Sequence, residues 1–278
     1  MNSESEESDS CVSHVAKQLT LEEIDKMKAQ NSRLVSDFQA MQLEKNAKKH
    51  WDLFYKRNEV RFFKDRHWTT REFQELLGLE NPKNAQTLLE IGCGVGNLIY
   101  PLLEDNINFK KIYACDLSPR AVEFVKGHKL YNPDKVEAFQ NDVTVENCFE
   151  EVHLPINIAT LVFVLSTIHP DKMKSVIKNL YQCMTENGIA LFRDYGRFDM
   201  AQLRFKPGHK ISENFYMRQD GTRFVSYYFT TEEVQDLFES NGFETVSCIY
   251  IQRRTVNLKE NIDVPRIFVQ GKFMKKLQ

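Results

Sequence analysis

The residues best suited to chemistry stand in one short run, Glu90-Ile-Gly92-Cys-Gly94-Val-Gly96-Asn97. An acid is followed by three glycines at alternate positions, where an apolar strand gives way to a helix. Glycines there let backbone approach a ligand closely. A dinucleotide fingerprint needs G-x-G-x-x-G, so Gly92 and Gly94 would demand glycine at 97, where Asn97 stands. A pyrophosphate seeks helix amides, whereas the carboxylate of Glu90 suits a cationic ligand. Asp116 closes the next apolar run, KIYACD, 20 residues after Gly96. A carboxylate at that strand end can accept both hydroxyls of a ribose. Asp142 and Val143 close the third run, VEAFQND. Taken singly, each feature reads equally as a tight turn or a solvated strand end; their joint placement points to a nucleoside with a positively charged partner group.

Two other stretches mix cations with aromatic rings. Residues 56–72 carry six Lys/Arg (56, 57, 61, 64, 66, 71) against three acids, interleaved with Phe62, Phe63 and Trp68. Residues 193–223 carry seven (193, 197, 204, 206, 210, 218, 223) against four acids, with Phe198, Phe205, Phe215 and Tyr216. Such mixtures suit a nucleic acid with unstacked bases, because cations hold phosphates while rings stack bases. Composition alone slightly favours the other reading, a solvated charged face over ordinary core aromatics. After the fourth strand the chain reads Leu165-Ser-Thr-Ile-His169-Pro170, without the N/D-P-P-Y motif of many exocyclic-amine methyltransferases. His169 at that strand edge could serve as a general base, but a His-Pro pair there reads more often as a loop entering a helix, here capped by Asp171.

Strands and helices must alternate to place these groups. TLLEI (87–91), a helix through 96–104, KIYACD, a helix over 119–127, VEAFQND, INIATLVFVL, a helix over 171–184 and GIALFRDY follow in turn. Alternation of this kind predicts right-handed βαβ units and a mostly parallel sheet in an α/β fold. The end breaks the rhythm: TEEVQDLFESNGF predicts a helix stopped at Gly242, and ETVSCIYIQRRTVN with PRIFVQGKFM predicts an antiparallel strand pair. Upstream, apolar residues at 34, 38, 41, 42, 51, 54 and 55 recur at helical spacing. Thr69/Thr70 is expected to cap a further helix over 71–77.

Three parts follow. Residues 1–20 form an acidic tail expected to be disordered, with four acids and no base in the first ten positions. Residues 21–80 form a helical, basic and aromatic segment ending at the break Gly78, Asn81, Pro82 and Asn84. Residues 81–278 form the α/β core, with an insertion over 197–226. The longest apolar run, Ile158 to Ile168, is 11 residues, too short to span a bilayer. Six cysteines (11, 93, 115, 148, 183, 248) form no CxxC pair and no His lies at ligand spacing from one, which predicts reduced thiols in a cytosolic or nuclear protein and no metal site.

The register E-x-G-x-G-x-G resembles the first motif of class I S-adenosylmethionine (SAM) methyltransferases, with Asp116, Asp142 and Val143 at the matching strand ends. SAM carries an ammonium and a sulfonium, agreeing with the acid at Glu90. Phe62-Phe63-Lys64-Asp65-Arg66-His67-Trp68, the glycine loop, Arg193-Asp194-Tyr195-Gly196 and Asn214-Phe-Tyr-Met-Arg218-Gln-Asp-Gly-Thr222 also occur together and in order. In this combination the chain is similar to the tRNA 3-methylcytidine methyltransferases of the methyltransferase-like family, over about 34–273. The segment DFQ…WDLFYKRN resembles the branch acting on serine tRNAs.

The resemblance implies a Rossmann-like sheet of seven strands with an antiparallel last strand and an N-terminal helical cap. It implies SAM as cofactor, held by Trp51, Tyr55, Glu90, Gly92, Gly94, Gly96, Asp116, Asp142, Val143 and Val162. It implies cytidine 32 of the tRNA anticodon loop as substrate, with seryl-tRNA synthetase as an expected helper. Cytosine N3 has a free lone pair at neutral pH, so attack needs positioning more than a base, and a carboxylate can stabilise the cationic product ring. Asp65 and Asp194 are the expected carboxylates. Phe63 or Trp68 would stack the base; Lys64, Arg66, His67, Arg193, Arg204 and Arg218 would bind RNA. Methylation of a protein or small molecule remains the alternative from the residues alone.

Overall fold

The computed structural model describes residues 15–78, 85–257 and 262–276, with no side-chain description for 254–257 and 262–263. Most of the acidic tail, Cys11 and the break at Asn81, Pro82 and Asn84 lie outside the described residues. The N-terminal segment forms three helices, α1 (Leu21–Gln30), α2 (Asp37–Lys45) and α3 (Ala47–Asn58), then the one-turn α4 (Trp68–Glu72). The core follows with β1 (Thr87–Ile91), α5 (Ile99–Glu104), β2 (Lys111–Asp116), α6 (Pro119–Lys126), β3 (Val136–Gln140), β4 (Ile156–Val162), α7 (Pro170–Cys183) and β5 (Met184–Tyr195). The insertion supplies α8 (Met200–Leu203), β6 (Lys210–Ser212), β7 (Phe215–Met217) and β8 (Val225–Tyr227). The chain closes with α9 (Thr231–Glu239), β9 (Phe243–Asn257) and β10 (Ile262–Lys275).

Seven strands join in the order β3-β2-β1-β4-β5-β10-β9. The pairs from β3 to β5 are parallel, and β10 runs antiparallel to both β5 and β9. The expected single antiparallel last strand is therefore β10. Alternate residues of each strand feed two cores. Leu89 and Ile91 face the side covered by α7 and α9, through Val176, Ile177, Leu180, Val234 and Phe238. Leu88 faces the side covered by α5 and α6, with Ile99, Leu102, Val122 and Val125. Burial on both faces explains the near-continuous apolar strands.

Local signals set the helix ends. Ser118 accepts from the Ala121 amide at 3.3 Å and Pro119 starts α6. Thr230 and Glu233 close a capping box on α9, and Gly242 at φ 96° carries the turn after it. Three expectations are corrected. His169, not Asp171, caps α7, its Nδ1 accepting from the Asp171 amide. Thr69 and Thr70 lie inside α4, where their hydroxyls donate to the carbonyls of Arg66 and His67 instead of capping. The expected helix over 71–77 is α4 plus a 3-10 turn at Gln74–Leu77.

The N-terminal helices and the insertion are bonded to each other. Gln30 is fully buried; its amide donates to the Gln202 carbonyl at 2.9 Å and its oxygen accepts from the Tyr216 hydroxyl at 3.0 Å. Lys210 Nζ donates to Asn31 Oδ1 at 2.8 Å, and its carbonyl accepts from the Val35 amide. The insertion is in turn anchored to the sheet by Asp199, which is fully buried. That carboxylate accepts from Arg266 Nε at 2.9 Å and from the amides of Ile267 and Ala201. Asp199→Ala leaves Arg266 and two amides without their acceptor. It is expected to cost about 3–5 kcal/mol in urea unfolding, with Asp199→Asn losing distinctly less.

Candidate active site

A cavity of about 430 Å³ opens at the carboxyl ends of β1, β2, β4 and β5, roofed by α2, α3 and the loop after α3. This is the edge at which open α/β sheets bind ligands. The floor is the glycine turn. Gly92 has φ 67°, and a Cβ there would lie 2.5 Å from Val164 Cγ2. Gly94 has φ 54°, and a Cβ there would meet the Tyr55 hydroxyl at 2.9 Å. Only glycine gives both this conformation and this clearance. Gly96 continues the turn away from the cavity, against Tyr100.

Asp116 fastens the turn to β2. Its Oδ2 accepts from the Gly94 amide and its Oδ1 from the Ser118 amide, both at 2.9 Å. Burial pushes its carboxyl up to about 6, against the pull of those amides. Glu90 is buried, and its Oε2 has no hydrogen-bond partner. Burial pushes it up to about 8, with Arg66 opposing and Asp116 adding to the rise. An unpartnered buried carboxylate beside a glycine cradle, with a second acid at the ribose position, fits the ammonium and ribose of SAM. Asp142 lies at the rim, bonded to the amide and hydroxyl of Thr144, while Val143 and Val162 are buried in the wall. Trp51 stacks on Phe224 at 3.8 Å between ring centroids, so α3 and the insertion meet above the floor. Asp52 strengthens that roof by accepting from Ser118 Oγ at 3.0 Å.

The other expected residues divide. Phe63, Lys64, Arg66, Trp68 and Arg218 line the cavity. Arg66 donates from Nη1 to the Val162 carbonyl at 3.2 Å and lies over the Phe163 ring. Arg218 is held by Asp220 at 2.8 Å. Asp194, Arg193, Asp65, His67 and Arg204 are not cavity walls. Asp194 is fully buried beneath Tyr195, accepting from the amides of Ser166 and Tyr195 at 2.9 Å each. Burial pushes it up to about 6, against those donors and the nearby Arg66 charge. Asp65 is exposed and accepts from Asn97 Nδ2 at 3.0 Å. His67 and Arg204 are exposed, Arg204 at the end of α8. Arg193 is only 5% exposed and packs inside the protein.

Sequence reasoning missed Asn97 and Phe163. Asn97 entered it only as evidence against a dinucleotide; it also donates to the Phe63 carbonyl at 3.3 Å, and its own carbonyl accepts from the Arg66 amide at 2.7 Å. It thereby hangs the 63–66 strip over the glycine turn. Phe163 lines the cavity with φ 60°, a left-handed backbone that costs about 1–2 kcal/mol for a non-glycine residue. No pattern signals it, because the conformation follows from the junction of β4 with the turn beyond. His169, read chiefly as a loop residue and secondarily as a general base, reaches the wall, edge-on to Phe215.

A family profile described as a methyltransferase domain matches residues 55–248. Among solved structures, a SAM-dependent methyltransferase from Anabaena variabilis superposes with a TM-score of 0.60 at 14% identity, covering 83% of this chain and 96% of that one. Another, from Listeria monocytogenes, gives 0.56 at 19% identity, over 76% and 98%. Fold, profile and site define a class I, SAM-dependent methyltransferase. The chain is 51% identical over 264 residues to the tRNA N(3)-cytidine methyltransferase METTL6 of Mus musculus, covering 94% of this chain and 92% of that protein. It is 44% identical over 245 residues to the tRNA N(3)-methylcytidine methyltransferase trm141 of Schizosaccharomyces pombe, covering 87% and 97%. It belongs to the tRNA N(3)-cytidine methyltransferase family.

Glu90 must be ionised to hold a cation, so SAM binding is expected to weaken as pH falls through about 8, where the ligand must displace a proton. The same raised value penalises the ligand-free fold. The penalty is absent where Glu90 is protonated folded and unfolded alike, grows as pH rises above the ordinary carboxylate range, and is complete above about 8. Glu90→Gln is therefore expected to raise the ligand-free melting temperature at alkaline pH, flatten the pH profile of binding, and weaken SAM about 10- to 100-fold. Calorimetric titrations and thermal scans across pH check all three; a wild-type affinity independent of pH contradicts the assignment.

Proposed function

We propose that the protein transfers the methyl group of SAM to N3 of cytidine 32 in the anticodon loop of tRNA, with serine tRNAs as substrates and seryl-tRNA synthetase presenting them. The observation that carries the reading is the composition of one cavity. Its floor is the glycine turn with Asp116, Glu90 lies buried beside that turn without itself lining the cavity, and the upper wall carries Phe63, Lys64, Arg66, Trp68, Tyr195 and Arg218. A nucleoside cofactor and an aromatic base with its phosphates are thus accommodated side by side. The names of the METTL6 and trm141 relatives supply the atom methylated.

When bound, SAM supplies an electrophilic methyl on a sulfonium. The chain's own task is then to orient and to exclude water. An unpaired base offers N3 on its Watson–Crick edge, and N3 needs no proton removed before attack. Trp68, Phe63 and Phe163 give flat surfaces for the ring, and Trp51 with Phe224 closes the roof. Asp194, fully buried and off the cavity wall, balances the charge of Arg66, the cation that does line the pocket, and so holds that wall in place. Asp65 takes the outer place, orienting the 63–66 strip with Asn97. Arg218, Lys64 and the exposed His67 and Arg204 face the phosphates.

Labelled SAM, total tRNA and purified protein, followed by nucleoside mass spectrometry, are expected to yield 3-methylcytidine, with a higher rate when seryl-tRNA synthetase is added. SAM binding without any 3-methylcytidine in either mixture would overturn the reading. Affinity for tRNA is expected to fall with salt, by a slope of about 0.7 per phosphate contacted in a single-stranded loop. Asp194→Asn is expected to reduce turnover by less than the about 100- to 1000-fold that follows removal of a group in direct contact with developing charge, while SAM affinity changes little. Normal turnover in that variant would remove Asp194 from the mechanism.

A further inference from the structure

We infer that Arg193 is a positioning residue for Trp68: it grips a one-turn helix through two side chains and so sets the aromatic wall of the substrate pocket. The inference rests on the functional reading above for what the wall receives, but the grip itself is a matter of geometry. The strip between α3 and β1 delivers Phe62, Phe63, Lys64, Arg66 and Trp68 to the cavity. Its one regular element before the 3-10 turn is α4, five residues long, with no side-chain cap at its N-terminus. A helix that short has no stability of its own, so its orientation must be imposed from outside.

Arg193 imposes it from β5. The guanidinium carbon lies over two rings, 4.3 Å from the Trp68 centroid and 4.9 Å from that of Phe268. Nη1 donates to Gln270 Oε1 at 3.0 Å and lies 3.8 Å from Glu72 Oε2. Trp68 and Glu72 are four residues apart and share a helix face, so one buried cation holds both ends of α4. Arg253, from β9, donates to the other oxygen of Glu72. Arg193 is not a wall of the cavity, and its 5% exposure leaves no surface for a phosphate. The sequence-based assignment of Arg193 to RNA binding is therefore replaced by an indirect role. The Phe163 amide donates to the Arg193 carbonyl at 2.7 Å, a backbone bond that side-chain substitution leaves in place.

Stacking over two rings needs a planar guanidinium, which lysine does not provide although it keeps the charge. The test uses full-length protein labelled with 5-fluorotryptophan, which gives two fluorine resonances because the chain has two tryptophans. Trp68→Phe assigns them. Arg193→Lys is expected to shift the Trp68 resonance and leave that of Trp51 in place. It should lower kcat/KM for tRNA about 10- to 100-fold, the size of a misplacement near 1 Å, and change SAM affinity less than twofold. Glu72→Gln, at the other end of the grip, should shift the same resonance with a smaller loss, and it carries the test if Arg193→Lys does not fold. An unmoved Trp68 resonance in the folded variants, or SAM affinity falling in parallel with tRNA turnover, overturns the inference. A wild type that makes no 3-methylcytidine would overturn the functional reading alone, since the resonance shift tests the grip without catalysis.

Discussion

Two carboxylates, Glu90 and Asp116, are buried at the carboxyl edge of the sheet, with Arg66 as the cation that opposes the charge cost at Glu90. Burying charge is costly unless it is paired or hydrogen-bonded. Asp116 meets that cost with two backbone amides, and one of them belongs to the glycine turn. Glu90 does not meet it, since one of its oxygens has no partner. A cationic ligand completes the pairing, so the binding site and the least comfortable point of the fold are the same place. The pocket roof follows from this, because Arg66 is brought near Glu90 by the 61–68 strip, which Asn97 ties across the glycine turn.

The strip is held down by bonds that are individually ordinary. Asn97 links it to the turn, Arg66 to the end of β4, and Arg193 with Glu72 fastens its last helix. Above it, α1 and α2 are latched to the insertion through Gln30 and Lys210, and Trp51 stacks on Phe224. Segments more than a hundred residues apart in sequence thus act as one cover. The cover carries most of the cations and rings that line the cavity, together with Glu44 and Asp220, whereas the sheet edge contributes Asp116 and Asp142.

How much could be read without coordinates depended on the range of the interaction. The alternation of strands and helices from β1 to β5, the helix over 119–127, the helix ending at Gly242 and the antiparallel end pair follow from periodicity and turn chemistry, which are local. Gly92, Gly94, Asp116 and Val143 were legible because a ligand at a sheet edge constrains residue type at fixed offsets from strand ends. The Thr69/Thr70 cap failed because both hydroxyls found backbone carbonyls one turn earlier. His169 displaced Asp171 as cap of α7 because its ring nitrogen reaches the first free amide.

The sequence by itself therefore determined the α/β class, the cofactor turn and the two acids beside it, since those depend on neighbours within a few residues. Only the tertiary structure decided which cations and acids face the cavity. Arg66 and Arg193 look alike in composition, yet one lines the pocket and the other is enclosed against Trp68 and Phe268. Asp65 and Asp194 likewise part company, one exposed and one fully buried. The reason is physical: side-chain burial and pairing are set by packing between distant strands and helices, and no spacing along the chain encodes that packing.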